Sequence, residues 1–146
     1  MPTRTSEATW NGDLESGNGS MTVGDGAYEG PFSFESRFED GQGTNPEELI
    51  AAAHAGCYSM ALSNMLTDAG HAPESVHTTA EVHLEMSKDG PGISNIDLTT
   101  EADVPDLSEQ DFQETAQKAK ENCPVSQVLA GAEISLNARL KSSATV

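Results

Sequence analysis

Thr44-Asn45-Pro46-Glu47-Glu48-Leu49-Ile50-Ala51-Ala52-Ala53-His54-Ala55-Gly56-Cys57 reads as the start of a helix. Asn45 has a side-chain oxygen suited to the cap, Pro46 suits the first helical position, and Glu48 stands three residues after the cap. The run continues through Met60, Ala61 and Met65 and stops at Gly70, with Pro73 beyond. No charged residue lies between Glu48 and Asp68. A helix of that length with an uncharged centre is expected to be buried on most sides, or buried between subunits.

The segments on either side suggest strands. The first 43 residues are glycine-rich, and Trp10, Met21, Val23, Tyr28, Phe32 and Phe34 punctuate short strands and turns. Residues 39–43 read as a loop. Beyond the helix, Val76, Thr78, Ala80, Val82, Leu84 and Met86 alternate with polar residues, and Ile96, Leu98, Thr100 and Ala102 repeat the pattern after a turn at 88–92. Ser108 caps a second helix carrying Phe112, Ala116 and Ala119 and ending near Asn122. Pro124 opens a short helix, and Ala132, Ile134, Leu136, Ala138 and Leu140 mark a last strand. This order predicts an α+β fold with antiparallel sheets, in a single domain over residues 1–146.

The 146 residues carry 24 acids against 7 bases, a formal charge of -17. Such a field repels nucleic acid and anionic membrane surfaces, and neither is expected as a partner. The acids are spread along the chain, which favours a solvation strategy for high salt and a halophilic host. No apolar run reads as a secretory signal or as a membrane span, so a cytoplasmic location is expected.

Two cysteines in such a compartment read as free thiols or as a working redox pair. Cys123 precedes Pro124 and should cap the short helix, where backbone N–H groups lower a thiol pKa. Cys57 lies mid-helix, and buried among alanines it stays a neutral thiol unless a cation supports it. Arg37, between Phe34 and Phe38, is the candidate cation, and Glu47 a second anion for the same guanidinium. Glu47 precedes Cys57 by about 15 Å of straight helix. Either the helix breaks, or Glu47 reaches a cysteine across a subunit boundary. Taken singly, these residues have plainer readings: two small buried hydrophobes, a salt-bridged arginine and a first-turn acid. His54, one turn before Cys57, is read first as a packed core or interface histidine, with a thiolate–imidazolium pair as the alternative. His77 and His83 are too far apart along one strand to share a metal, and four-ligand metal spacing is absent.

The segment 44–57 and Cys123-Pro124-Val125-Ser126-Gln127-Val128-Leu129 resemble the two signature segments of the OsmC/Ohr family of thiol peroxidases, and residues 37–49 resemble its OsmC branch. The resemblance implies an OsmC-like α+β fold, with antiparallel sheets packed around long central helices in an intertwined homodimer. It implies Cys57 as the peroxidatic cysteine, Cys123 as the resolving one, and Arg37 and Glu47 as the supporting ion pair. Organic hydroperoxides and hydrogen peroxide are then the substrates. An external dithiol, such as a lipoyl or dihydrolipoamide system, is the reductant, and no metal, flavin or haem cofactor is required. Met60, Met65, Phe34 and Phe38 are candidates for an apolar wall against an alkyl group. The competing readings are a non-enzymatic small-ligand-binding dimer and a general thiol–disulfide exchange protein.

Overall fold

The computed structural model describes residues 2–141. The chain divides into two compact units, Met1–Leu49 and Ile50–Val146.

In the first unit, β1 (Ser6–Asn11), β2 (Asn18–Val23) and β3 (Tyr28–Phe32) form an antiparallel meander in that order. The first turn is closed by Asp13, whose Oδ1 accepts from the backbone N–H and the hydroxyl of Ser16, both at 2.7 Å. Trp10 and Phe32 meet with ring centroids 5.2 Å apart. They do so over Gly19, where a Cβ would come within 2.7 Å of Phe32 and 2.8 Å of Trp10. A short helix that the sequence pattern did not reveal, α1 (Phe34–Phe38), follows at once. Its start is a reciprocal cap: Ser33 Oγ accepts from Ser36 N–H, and Ser36 Oγ accepts from Ser33 N–H. Ser36 also holds the loop that returns, donating from Oγ to Thr44 O at 2.7 Å, while its own carbonyl accepts from Asn45 Nδ2 at 2.8 Å.

The long helix α2 runs from Pro46 to Asp68. Asn45 Oδ1 accepts from Glu48 N–H at 2.8 Å, as the cap requires. The Glu48 carboxylate does not return the bond; it accepts from Thr44 Oγ1 at 3.1 Å. The helix ends at Gly70, whose φ of 91° suits a residue without Cβ, and His71 N–H reaches back to Leu66 O at 2.8 Å.

In the second unit, β4 (Ser75–Ser87) pairs antiparallel with β5 (Gly90–Asp103) through a tight turn, with a register shift between His83 and Leu84. β6 (Glu133–Lys141) lies on the other side of β5 and runs parallel to it, giving the order β4-β5-β6. The sheet is therefore mixed, which corrects the all-antiparallel expectation. Between β5 and β6 stand α3 (Glu109–Asn122) and α4 (Pro124–Val128). A helical crossover of that length carries the chain back to the same end of the sheet, so the next strand enters parallel. The strand alternation holds: Ile96, Leu98, Thr100 and Ala102 are buried. Met86, beyond the register shift, is exposed.

The core of this unit joins Tyr58, Leu62 and Leu66 of α2, spaced one turn apart, to Phe112, Ala116 and Ala119 of α3 and to the inward residues of β5. Ser108 Oγ caps α3 by accepting from Asp111 N–H at 3.2 Å. The expectation that α2 is buried on most sides does not hold in the single chain. One face is buried, while Ala52, Ala53, Gly56, Met60 and Asn64 on another are exposed. Phe112→Ala should destabilise the protein by about 3–5 kcal/mol in urea unfolding, as a large buried aromatic does when truncated. A loss below about 1 kcal/mol would show that α3 is not seated in this core.

Candidate active site

Cys57 and Cys123, 66 residues apart in sequence, are brought to a Sγ–Sγ distance of 3.1 Å. Both are free thiols; Cys57 is partly exposed and Cys123 is fully buried. Cys57 packs partly against the core, and its neighbour Tyr58 donates from Oη to Ala116 O at 3.0 Å, tying the middle of α2 to α3. Cys123 is the hinge residue between two helices. Its N–H ends α3 on Ala119 O at 2.9 Å, its φ of -61° and ψ of 123° leave the helical region, and Pro124 starts α4. A disulfide needs about 2.05 Å between sulfurs, so bond formation asks for a closure of only about 1 Å.

The two thiols differ in acidity. Burial alone would raise the Cys123 pKa. The contact with the Cys57 thiol, and with it the neighbouring Ser126 and Val125 at the start of α4, outweighs burial and brings it below the ordinary thiol value, although Cys123 makes no side-chain cap hydrogen bond. For Cys57, burial raises the pKa, and its hydrogen bond to Cys123 raises it further. Cys123 is therefore the more acidic thiol of the pair. Cys123 takes the cap position of α4 expected of it, without a side-chain cap hydrogen bond, and the direction of the Cys57 shift is that expected of an unsupported thiol. Tyr58 stays protonated, its pKa pushed far up by burial and by the neighbouring Cys123.

His54 is fully buried, and its Nε2 lies 2.7 Å from Ser126 Oγ. The histidine is thus packed in the core, as its first reading had it, and its hydrogen-bond partner is Ser126. Burial lowers its pKa and keeps the ring neutral. Its Nδ1 is buried without a hydrogen-bond partner. Sequence reasoning missed Ser126. The signal was there: a hydroxyl three residues after the capping cysteine, at the position that faces a cap.

Arg37 and Glu47 meet within the first unit. Arg37 Nε donates to Oε1 at 3.1 Å and Nη2 to Oε2 at 2.9 Å, a bidentate fork. Glu47 is 8% exposed and the Arg37 side chain 35% exposed, so the carboxylate is the fixed partner and the guanidinium keeps an open edge. The Arg37 guanidinium also lies 5.4 Å from the centroid of the Phe38 ring. α1 sets this geometry, because it presents Arg37 on the same short turn whose Ser36 grips Thr44 and Asn45 just before Glu47. Of the residues expected to form an apolar wall, Phe34 and Phe38 meet with ring centroids 4.9 Å apart and planes tilted by 46°, and Met65 packs against the core of the second unit. Met60 is exposed at an open groove of about 500 Å³ lined with Ser59, Ser63 and Asn64.

Comparison with known proteins places these residues in context. The model of the family described as OsmC-like protein matches residues 39–138. The chain is 49% identical over 137 residues to Peroxiredoxin OsmC of Escherichia coli (strain K12), covering 93% of this chain and 95% of that protein. It is 28% identical over 117 residues to the organic hydroperoxide resistance protein OhrB of Bacillus subtilis (strain 168), covering 77% of this chain and 82% of that one. The crystal structure of the Bacillus subtilis OhrB superposes with a TM-score of 0.67 at 26% identity, covering 94% of this chain and 98% of the other. An organic hydroperoxide resistance protein OsmC from Legionella pneumophila gives 0.71 at 25% identity, covering 95% and 99%. With two juxtaposed thiols and a family model that spans both of them, the chain belongs to the OsmC-like protein family, on its OsmC branch.

Proposed function

We propose that this chain is a cysteine-based peroxidase that reduces organic hydroperoxides to alcohols, accepts hydrogen peroxide as well, and is reset by an external dithiol. The observation that carries this reading is the 3.1 Å approach of two free thiols from distant parts of the chain. The substrate class follows relatives named for peroxidase activity and for organic hydroperoxide resistance.

In the proposed cycle Cys57 is the peroxidatic residue. Unsupported, its thiol is the weaker acid of the pair. Arg37, held by Glu47, is the cation assigned to support the Cys57 thiolate, and a proton can pass between the two sulfurs across their contact. The thiolate attacks the distal peroxide oxygen, the O–O bond breaks, and the alkoxide leaves to take a proton as alcohol. Arg37 stabilises the charge that develops on the leaving oxygen. Cys57 is then a sulfenic acid. Cys123 attacks its sulfur, water leaves, and a Cys57–Cys123 disulfide forms before a second peroxide can drive the sulfur to sulfinic acid. A dithiol, such as a dihydrolipoyl group, reduces the disulfide by exchange, and the acidic Cys123 thiol suits the leaving position.

The assembly proposed is a homodimer of a single OsmC-like domain over residues 1–146. The exposed, uncharged face of α2 at Ala52, Ala53, Gly56 and Met60 supports it, since small residues there admit a second helix. No helix among the described residues is long and apolar enough to cross a membrane. A cytoplasmic setting would keep both thiols reduced between turnovers.

Reduced protein mixed anaerobically with one equivalent of cumene hydroperoxide should lose both thiols and two daltons of mass, with no oxygen added. Two intact thiols and unconsumed peroxide would end the peroxidase reading, and dithiol–disulfide turnover without peroxide would favour the exchange reading. Cys57→Ser should abolish peroxide consumption. Cys123→Ser should reduce one equivalent and then stop as an oxidised Cys57. Arg37→Ala should slow the chemical step by roughly 10²–10³-fold, the scale of a lost oxyanion donor. Gly56→Glu should shift the sedimentation coefficient to that of a monomer; an unchanged value with the wild type also monomeric would remove the dimer.

A further inference from the structure

Cys57 and Cys123 are also a ligand set in their own right. They are the only two cysteines of the chain. Both are free thiols, with sulfurs 3.1 Å apart. The separation is built into the fold: Tyr58, the neighbour of Cys57, is tied to Ala116 O, and Cys123 N–H closes α3 on Ala119 O. A ligand that bonds both sulfurs therefore meets them already paired, with the closure cost of their 66-residue separation met by folding.

The sulfur geometry selects the ligand. A thiolate pair is a soft donor set. A tetrahedral zinc with Zn–S of about 2.3 Å holds its sulfurs about 3.8 Å apart and asks for two further ligands. Among the described residues no group of three histidine, cysteine or acidic side chains is placed to hold a metal ion. A linear two-coordinate ion fits less well still, because its sulfurs stand on opposite sides, two full metal–sulfur bonds apart. Trivalent arsenic differs from both. Its lone pair bends the bonds to nearly right angles, so two sulfurs on one arsenic stand close to contact. One carbon substituent then completes its three bonds.

We propose that the reduced Cys57–Cys123 pair is a chelating site for monosubstituted trivalent arsenicals of the type R–As=O. Cys57, the partly exposed sulfur, takes the arsenic first, and the buried Cys123 closes the ring. Two As–S bonds form and the As–O double bond breaks. Both thiol protons leave with that oxygen as water. Arsenic stays trivalent and neither sulfur is oxidised, so no oxidant or reductant enters. Inorganic arsenite is the poorer ligand, since its third bond finds no third cysteine. The arsenic bridge occupies both sulfurs. Its consequence for turnover rests on the peroxidase reading: attack on peroxide and disulfide formation are blocked together.

Capture itself does not depend on that reading. Reduced protein mixed anaerobically with one equivalent of phenylarsine oxide should lose both free thiols. Its intact mass should rise by one phenylarsenic group less two hydrogens. Excess 2,3-dimercaptopropanol should restore both thiols, whereas 2-mercaptoethanol at the same thiol concentration should leave most of the adduct in place. Cys57→Ser and Cys123→Ser should each hold the arsenical roughly 10²–10⁴-fold more weakly, the factor that a second linked contact contributes. Wild-type protein oxidised with diamide, its sulfurs already joined, should take up none. Two phenylarsenic groups per chain, one thiol left free at saturation, or release by 2-mercaptoethanol as readily as by the dithiol would each overturn the inference, and all three are read on the wild type. Peroxide consumption without capture would end this inference and leave the peroxidase reading standing. Capture without peroxide consumption would do the reverse.

Discussion

The seating of α2 on α3 is the constraint from which the dithiol chemistry follows. Tyr58, Leu62 and Leu66 pack with Phe112, Ala116 and Ala119, and the Tyr58 hydroxyl is spent on the Ala116 carbonyl. That contact fixes the rotation of α2 about its own axis. Cys57, next to Tyr58, is thereby aimed at the end of α3, where Cys123 closes one helix and opens another. Two sulfurs 3.1 Å apart and 66 residues apart in sequence are the outcome. Bringing them together costs loop-closure entropy, which the hydrophobic burial around them offsets before any chemistry occurs.

Polar groups in this core are few and directed. His54, Ser126, Tyr58 and Cys123 are all buried, and each except His54 Nδ1 finds a partner. In low dielectric such bonds have defined directions, because every hydroxyl has one proton. The asymmetry between the thiols arises here. Contacts with Cys57, Ser126 and Val125 bring Cys123 down, whereas burial and Cys123 raise Cys57 against a single lowering contact with Val125. A pair with unequal acidity can present one sulfur as a leaving group and still let the other react when a cation supports it. In the first unit, the Arg37–Glu47 fork is held by different means: the reciprocal Ser33–Ser36 cap and the grip of Ser36 on Thr44 and Asn45.

The fold was legible in the sequence where periodicity and caps speak. The strand alternation at Val76–Val82 and Ile96–Ala102, the cap at Asn45, the start of α3 at Ser108 and the cap position of Cys123 all stand as read. The misreadings have local causes. α1 spans only Phe34–Phe38, too short to show a 3.6-residue period. The parallel entry of β6 escaped because strand direction is set by the crossover that precedes it and leaves no mark in the strand's own residues. The uncharged middle of α2 suggested burial on most sides or between subunits, and in one chain the first does not hold, because a face with Gly56 and Met60 is open.

The sequence by itself determined which residues were candidates for the chemistry: two thiols, one scarce arginine between phenylalanines, a first-turn glutamate and a histidine one turn before Cys57. Local rules suffice for this, since caps, helix periods and residue types are properties of short stretches. Only the tertiary structure decided which of them meet. Arg37 with Glu47, Cys57 with Cys123, and His54 with Ser126 are pairings across 10, 66 and 72 residues. Such distances are set by how helices rotate and dock, and the direction of each hydrogen bond is set by what remains unpaired after they do.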